Sequence, residues 1–261
     1  MLLVRGRMNQ GAHTVRSTFV LVHGAFAESA SWHRVIDLLM SRGHRVVAPS
    51  DPGHRVVAVA NPLRGVAADA ASVADLVRTI DGPIVLVGHS YGGAVISNVP
   101  ADAGDITGLV YVAGFAPEPG ESCLTLAGRF PGSTLGDALQ PVPRADGTTD
   151  LYIAQHRFHD QFCADVPASE AALMAETQRS VTEGALAEPS GDQPLWREVP
   201  SWFVFGEEDR NIPATLQRLM AERAGARRAV EVPGASHAIA VSHPDITAQL
   251  ILQAAALRAA A

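Results

Sequence analysis

An α/β fold, with a mostly parallel central sheet covered by helices on both faces, is what this sequence predicts. Three observations carry it. The runs Thr18-Phe19-Val20-Leu21-Val22, Ile84-Val85-Leu86-Val87 and Gly108-Leu109-Val110-Tyr111-Val112 are near-continuously apolar rather than alternating, as in strands buried on both faces. Strands of this kind recur with segments of helical spacing between them. The chain is long enough, at 261 residues, to bury a substantial core at the upper end for one domain.

The elements follow in order. Thr18–Val22 predicts the first strand, ending at His23-Gly24-Ala25. Ser31 to Arg42 predicts a helix, because Trp32, Val35, Ile36, Leu39 and Met40 form an apolar stripe and Gly43 closes it. His44-Arg45-Val46-Val47-Ala48 is then echoed by His54-Arg55-Val56-Val57-Ala58, each copy preceded by glycine. Two short strands fit this echo, and so does a tandem duplication whose extra copy bulges out as a loop. The turn residues Asp51-Pro52-Gly53 between the copies favour the duplication. Val66 to Ile80 predicts a helix, ended by Asp81-Gly82-Pro83 before the strand at Ile84. Later strands are expected at Ser201–Phe205 and Ala229–Val232, with helices at Pro213–Ala224 and Pro244–Ala260. Ser242 and Asp245 have the spacing of a capping box for the last helix.

Residues 116–199 break the rhythm. They are rich in Pro, Gly and Asp, show no convincing strand, and hold short helices such as Ser169–Gln178. The stretch is too long for a simple loop and is expected to form a helical lid above the strand ends. The expected organisation is a core of 18–115 and 200–261, a lid of 116–199, and an extension of 1–17 that is poorly ordered. Met8 is an alternative start.

Composition excludes several chemistries. Hydrophobic content of 47% argues against disorder. A formal charge of -7 without a basic block argues against a nucleic-acid surface. All 20 basic residues are Arg, so lysine Schiff bases, lysine-held pyridoxal phosphate and a Walker A loop are excluded together. Cys123 and Cys163 form neither a metal motif nor a disulfide framework and read as free thiols in a reducing compartment. Arg5, Arg7 and Arg16 leave no apolar stretch long enough for a signal peptide. No segment reaches about 18 consecutive apolar residues, so no membrane span is expected. A soluble cytoplasmic protein is the expectation, and the sequence assigns no oligomeric state.

The chemistry-bearing motif is Gly88-His89-Ser90-Tyr91-Gly92 after the Ile84–Val87 strand. Glycines two places either side of Ser90 let the backbone approach closely, so the serine stands on a tight strand-to-helix turn with its hydroxyl exposed. A serine nucleophile needs a base and a group that orients the base. His237, in Pro233-Gly234-Ala235-Ser236-His237 after the last strand, is the candidate base. Asp209 is the candidate acid, with Glu207 and Glu208 as rivals in the same post-strand loop. Backbone donors for a developing oxyanion are expected from Tyr91 and from the loop after the first strand, at Ala25 with Phe26 as runner-up. Phe26, Tyr91 and Trp32 are candidates to line an apolar pocket, though Trp32 equally suits the core. His156, His159 and Asp160 read as a helix surface rather than a metal site, and Arg227-Arg228 as a solvated pair. The glycines around Ser90 lack the spacing of a dinucleotide fingerprint.

These motifs resemble the α/β-hydrolase superfamily, in its compact cofactor-free group of small esterases, plant methyl-ester esterases and hydroxynitrile lyases. The marks are Val22-His23-Gly24-Ala25 with Trp32, Asn61-Pro62-Leu63-Arg64-Gly65, Gly88-His89-Ser90-Tyr91-Gly92-Gly93, and Gly206, Asp209, Pro213 and Ser236-His237. The resemblance covers nearly everything from Phe19 onward. It implies an α/β-hydrolase fold with a lid, Ser90 as nucleophile, Asp209 as acid, His237 as base, and no cofactor or metal. Hydroxynitrile lyases of this group carry lysine directly after the histidine and threonine where this chain has Gly24. Here Ala238 follows His237, which disfavours cyanohydrin cleavage. Epoxide and haloalkane hydrolases of the fold use an aspartate nucleophile, whereas position 90 is serine. The expected activity is hydrolysis of small to medium apolar carboxylic esters through an acyl-serine, with a small-molecule ester as substrate and neither nucleic acid nor membrane as partner. The alternatives are a cofactor-free lyase or a haloperoxidase-like perhydrolase using the same pocket, and a non-catalytic small-molecule receptor.

Overall fold

The apolar runs become neighbouring strands of one sheet. In this computed structural model, which describes residues 17–41 and 56–256, the first half runs β1 (Thr18–Val22), a 3-10 turn at Ser29–Trp32, and α1 (His33–Ser41). It continues through β2 (Val56–Val59), α2 (Val66–Val77), β3 (Ile84–His89), α3 (Tyr91–Ser97) and β4 (Ile106–Val112). An insertion follows: α4 (Cys123–Ala127), α5 (Leu135–Ala138), β5 (Leu139–Pro143), β6 (Thr149–Ile153), α6 (Gln155–Phe162), α7 (Ala168–Thr177), β7 (Val181–Thr182) and α8 (Glu183–Ala187). The chain closes with β8 (Ser201–Gly206), α9 (Ala214–Arg223), β9 (Arg228–Val232), α10 (Ile239–Ser242) and α11 (Pro244–Ala256).

The main sheet has the order β2-β1-β3-β4-β8-β9, and every neighbouring pair is parallel. Pleating sends alternate residues to opposite faces. Val20, Val22, Leu86, Tyr111 and Phe203 pack with Val73, Val77, Ile96, Leu216 and Met220 from α2, α3 and α9. Phe19, Leu21, Val85, Val87, Val110 and Val204 pack with Val35, Leu39, Leu250 and Ile251 from α1 and α11. Each such side chain stabilises the fold by about 1.5–3 kcal/mol through burial. Trp32 belongs to this second face, fully buried, so its role is in the core and not in a pocket.

β2 is built from the second copy of the echoed segment: Val56, Val57 and Ala58 pair with Phe19, Val20 and Leu21. The first copy and the Asp51-Pro52-Gly53 turn lie outside the described residues, as do the extension 1–16 and positions 257–260 of the predicted last helix.

Two expectations are corrected. The insertion contains strands: β5, β6 and β7 form an antiparallel sheet, with β5 at its edge. Pro141 and Pro143 argue against a strand by sequence, yet an edge strand tolerates residues without an amide hydrogen. The hairpin turn is secured where Asp146 Oδ1 accepts from the Thr148 amide (3.0 Å) and hydroxyl (2.6 Å). The capping box at Ser242 does not form. Ser242 closes α10 and its hydroxyl turns back to the Ala238 carbonyl at 3.5 Å, while α11 begins at Pro244, which puts His243 rather than Ser242 at the capping position.

Close backbone approach decides which glycines matter. A Cβ on Gly92 would stand 2.3 Å from the Val22 carbonyl oxygen, and one on Gly88 2.5 Å from that of Gly92. Both obstacles are backbone, so neither rotates away. Gly184, in α8, has nothing within 4 Å of such a Cβ. Gly92→Ala should therefore destabilise the protein by at least about 1–3 kcal/mol. Gly184→Ala should stabilise it by up to about 1 kcal/mol. Urea unfolding of the two variants beside the wild type checks both signs.

Candidate active site

Ser90 sits between β3 and α3 with φ 53° and ψ -122°, in the left-handed half of backbone space. Such a conformation costs on the order of 1–3 kcal/mol in a residue with a Cβ. Three hydrogen bonds hold it. The Ser90 amide donates to the Val112 carbonyl at 3.2 Å, and the Ser90 carbonyl accepts from the amides of Gly93 (2.9 Å) and Phe115 (3.1 Å).

His237 lies in the loop after β9 and is fully buried. Its Nδ1 faces Asp209 Oδ2 at 2.7 Å, so Nδ1 carries the proton and donates it to the carboxylate. Nε2 has no hydrogen-bond partner among the described residues, and Ser90 Oγ makes no hydrogen bond with it in this structure. Asp209 is itself over-determined. Oδ1 accepts from the amides of Asn211 (2.8 Å) and Ile212 (2.9 Å), and Oδ2 also accepts from Gln217 Nε2 at 3.1 Å. Its rivals point elsewhere: Glu207 and Glu208 are exposed, and Glu207 Oε2 accepts from the Gly234 amide at 3.2 Å.

His89 supports the histidine loop from below. Its Nε2 donates to the His237 carbonyl at 3.1 Å, and the two rings lie 4.8 Å apart. Burial, with His237 nearby, pushes the His89 imidazole well below the usual histidine range and keeps it neutral. From the insertion, the Phe162 ring meets His237 edge to face at 5.0 Å, and the Phe162 carbonyl accepts from the Ala238 amide at 3.1 Å. Asp165 accepts a hydrogen bond from the Ser236 hydroxyl.

The loop after β1 is locked by His23. Nδ1 donates to the Gly24 carbonyl at 2.9 Å, while Nε2 accepts from the Asn61 amide at 3.0 Å. Asn61 Nδ2 returns a bond to the His23 carbonyl at 3.0 Å. Burial lowers the His23 pKa to about 4, which matches an imidazole that must accept at one nitrogen. Ala25 follows with its amide uncommitted among the described residues, as is the amide of Tyr91. The Phe26 amide, the runner-up donor, is instead spent on the Arg179 carbonyl at 3.0 Å. The Tyr91 phenol donates to the buried Asp69 carboxylate at 2.9 Å, which fixes the residue after Ser90. Burial raises the pKa values of both Asp69 and Tyr91, so the phenol stays protonated.

Ser90, Ala25, Tyr91 and Phe26 share one cavity of about 100 Å³, lined also by Phe115, Cys123, Leu124 and Ile212. Burial pushes the Cys123 thiol well up, so that side chain is an apolar wall. His156 and His159 lie on α6, where His159 Nε2 bonds the Val166 carbonyl at 2.8 Å. Gln217, the His23–Asn61 lock and the Phe162–His237 contact escaped the reading of the sequence. Asn61 and Asp69 join distant loops, and nothing in local spacing marks such partners.

The chain is 30% identical over 244 residues to the pyrethroid hydrolase of Sphingobium wenxiniae, covering 89% of this chain and 85% of that one. It is 26% identical over 243 residues to an alpha-hydroxynitrile lyase of Arabidopsis thaliana, covering 87% and 92%. The solved structure of polyneuridine aldehyde esterase superposes with a TM-score of 0.72 at 20% identity, over 91% of this chain and 98% of the other, a likeness of fold. The sequence profile of the alpha/beta hydrolase family matches residues 19–250, the span that runs from the first buried strand past the histidine loop, and the chain belongs to that family.

Proposed function

We propose that the protein is a serine esterase that cleaves small to medium apolar carboxylic esters. The observation that carries this reading is the buried His237–Asp209 bond, which leaves His237 Nε2 without a partner among the described residues, while the strained Ser90 directly follows the His89 that bonds the His237 carbonyl. The pyrethroid hydrolase among the relatives supports ester hydrolysis as the reaction. In the mechanism Ser90 Oγ attacks the ester carbonyl carbon while His237 Nε2 takes its proton. Negative charge moves to the carbonyl oxygen, where the amides of Ala25 and Tyr91 donate to it; each such donor contributes about 3 kcal/mol in known cases. The tetrahedral intermediate collapses as protonated His237 delivers its proton to the alcohol oxygen. Water, deprotonated by the same nitrogen, then releases the acid from the acyl-serine. Asp209 holds the tautomer and stabilises the imidazolium at both stages. The lyase relative does not shift this reading, because Ala238 beside His237 offers no positive charge to a leaving anion.

Ser90→Ala and His237→Ala should each lower kcat/KM by at least about 10³-fold. Hydrolysis of p-nitrophenyl esters from acetate to dodecanoate, by wild type and Ser90→Ala side by side, measures this. Equal rates for the two would refute the nucleophile.

The two neutral histidines under the site set its acid limit. His23 is held at about 4 against an ordinary 6.5, so between those values the unfolded chain binds a proton that the folded one refuses. The stabilisation is complete above pH ~6.5 and is lost as pH falls toward ~4, on the order of 3 kcal/mol for His23 alone. Thermal unfolding should show Tm falling steeply from about pH 6.5 downward, and His23→Gln should flatten that slope. A Tm unchanged over this range would contradict the neutral assignment.

A further inference from the structure

Two cavities lie at the junction of insertion and core, and Phe26 lines both. Phe26 bounds the Ser90 chamber of about 100 Å³. It also bounds an open groove of about 510 Å³ with Ala27, His33, Leu173, Met174 and Val241. Phe26 is almost fully buried, its backbone has φ 59°, and its amide is tied to Arg179 of the insertion. It is thus a fixed partition.

The volumes separate what each side holds. A cavity of about 150 Å³ accepts benzene, so the chamber is too small for a ring and suits a short aliphatic group. The groove falls within the ~300–1,000 Å³ range of small-molecule sites. Among the described residues the exposed large hydrophobic side chains are Met40, Leu124, Val142 and Leu173. Leu124 opens on the chamber and Leu173, 68% exposed, on the groove, so apolar surface is left uncovered at both mouths.

The proton path orients the substrate. The chamber is bounded by Ala25, Tyr91 and Ile212, on the side of the oxyanion donors and the Asp209 loop. The groove is bounded by Val241 on α10, four residues beyond His237, the group that protonates the departing alcohol. Resting on the esterase reading above, we infer that the substrates are esters of a short aliphatic acid with a bulky, uncharged apolar alcohol. The acyl arm fills the chamber, the alcohol arm lies in the groove, and Phe26 sets the boundary. Glu28 and Glu170 stand on the groove wall, Glu170 paired with Arg34 at 2.6 Å, which disfavours anionic alcohol arms.

Two ester series test this: acetates of methyl, butyl, benzyl and naphthylmethyl alcohols, and benzyl esters of acetate, butyrate and octanoate. From methyl to benzyl acetate kcat/KM should rise at least about tenfold, and from benzyl acetate to octanoate it should fall at least about tenfold. Leu173→Glu, a change on an exposed helix face, should lower the benzyl-to-methyl ratio about fivefold or more. Phe26→Ala should move the acyl optimum toward octanoate. Rates that track acyl length but ignore the alcohol overturn the two-arm assignment and leave the esterase reading intact. No Ser90-dependent hydrolysis of any member overturns both.

Discussion

Ser90 occupies a conformation that resists a Cβ, on a turn where β1, β3 and α3 come so close that a Cβ on Gly92 would stand 2.3 Å from the Val22 carbonyl oxygen. That turn exists only because Gly88 and Gly92 present no side chain to the backbone beside them. The stored strain is balanced by three backbone hydrogen bonds at Ser90 and by the buried strands on either side. From this follows the placement of everything else at the carboxyl edge of the sheet. Tyr91 is the first residue of α3, and the loop after β1 runs past it because Gly92 permits the contact.

Around the turn, polar groups are fixed by partners that leave little freedom. His23 and His89 are held neutral and each uses a ring nitrogen to pin a loop backbone. Asp209 gathers four donors, so its position is set before His237 is considered. A buried carboxylate with fewer partners would be costly to desolvate. The insertion completes the enclosure. Thr182 donates its amide to Leu63 at 3.1 Å, Arg64 pairs with the buried Asp150, and Phe162 braces His237.

Much of this was legible in the sequence because the signals are local. The glycine pattern around Ser90 is a five-residue property, and the acid and histidine each follow a strand end by a short loop. The strands of the core read correctly within a residue or two because burial on both faces makes them uniformly apolar. What escaped reading depends on partners far along the chain. The His23–Asn61 lock spans 38 residues and the Phe162 contact with the histidine loop spans more than 70. β5 carries two prolines that only its edge position accommodates, and β7 is two residues long, below any periodic signal. Gln217, by contrast, is only 8 residues beyond Asp209, in α9, and escaped because polarity alone would place it at the surface.

The brace from Phe162 has a consequence for the order in which the protein is made. Sheet neighbours β1, β3 and β4 are supplied early in synthesis, and their contacts are comparatively short in sequence. The histidine loop arrives near the end of the chain and is seated against a segment already wrapped across the strand ends. Long-range closures of this kind form late, after their loop entropy has been met by other contacts. A nascent chain therefore holds β1, β3, β4 and the serine turn before β8, β9 and the loop that carries His237 are made. On the esterase reading proposed above, Ser90 meets its base only when that C-terminal loop docks, so the growing polypeptide carries no assembled nucleophile.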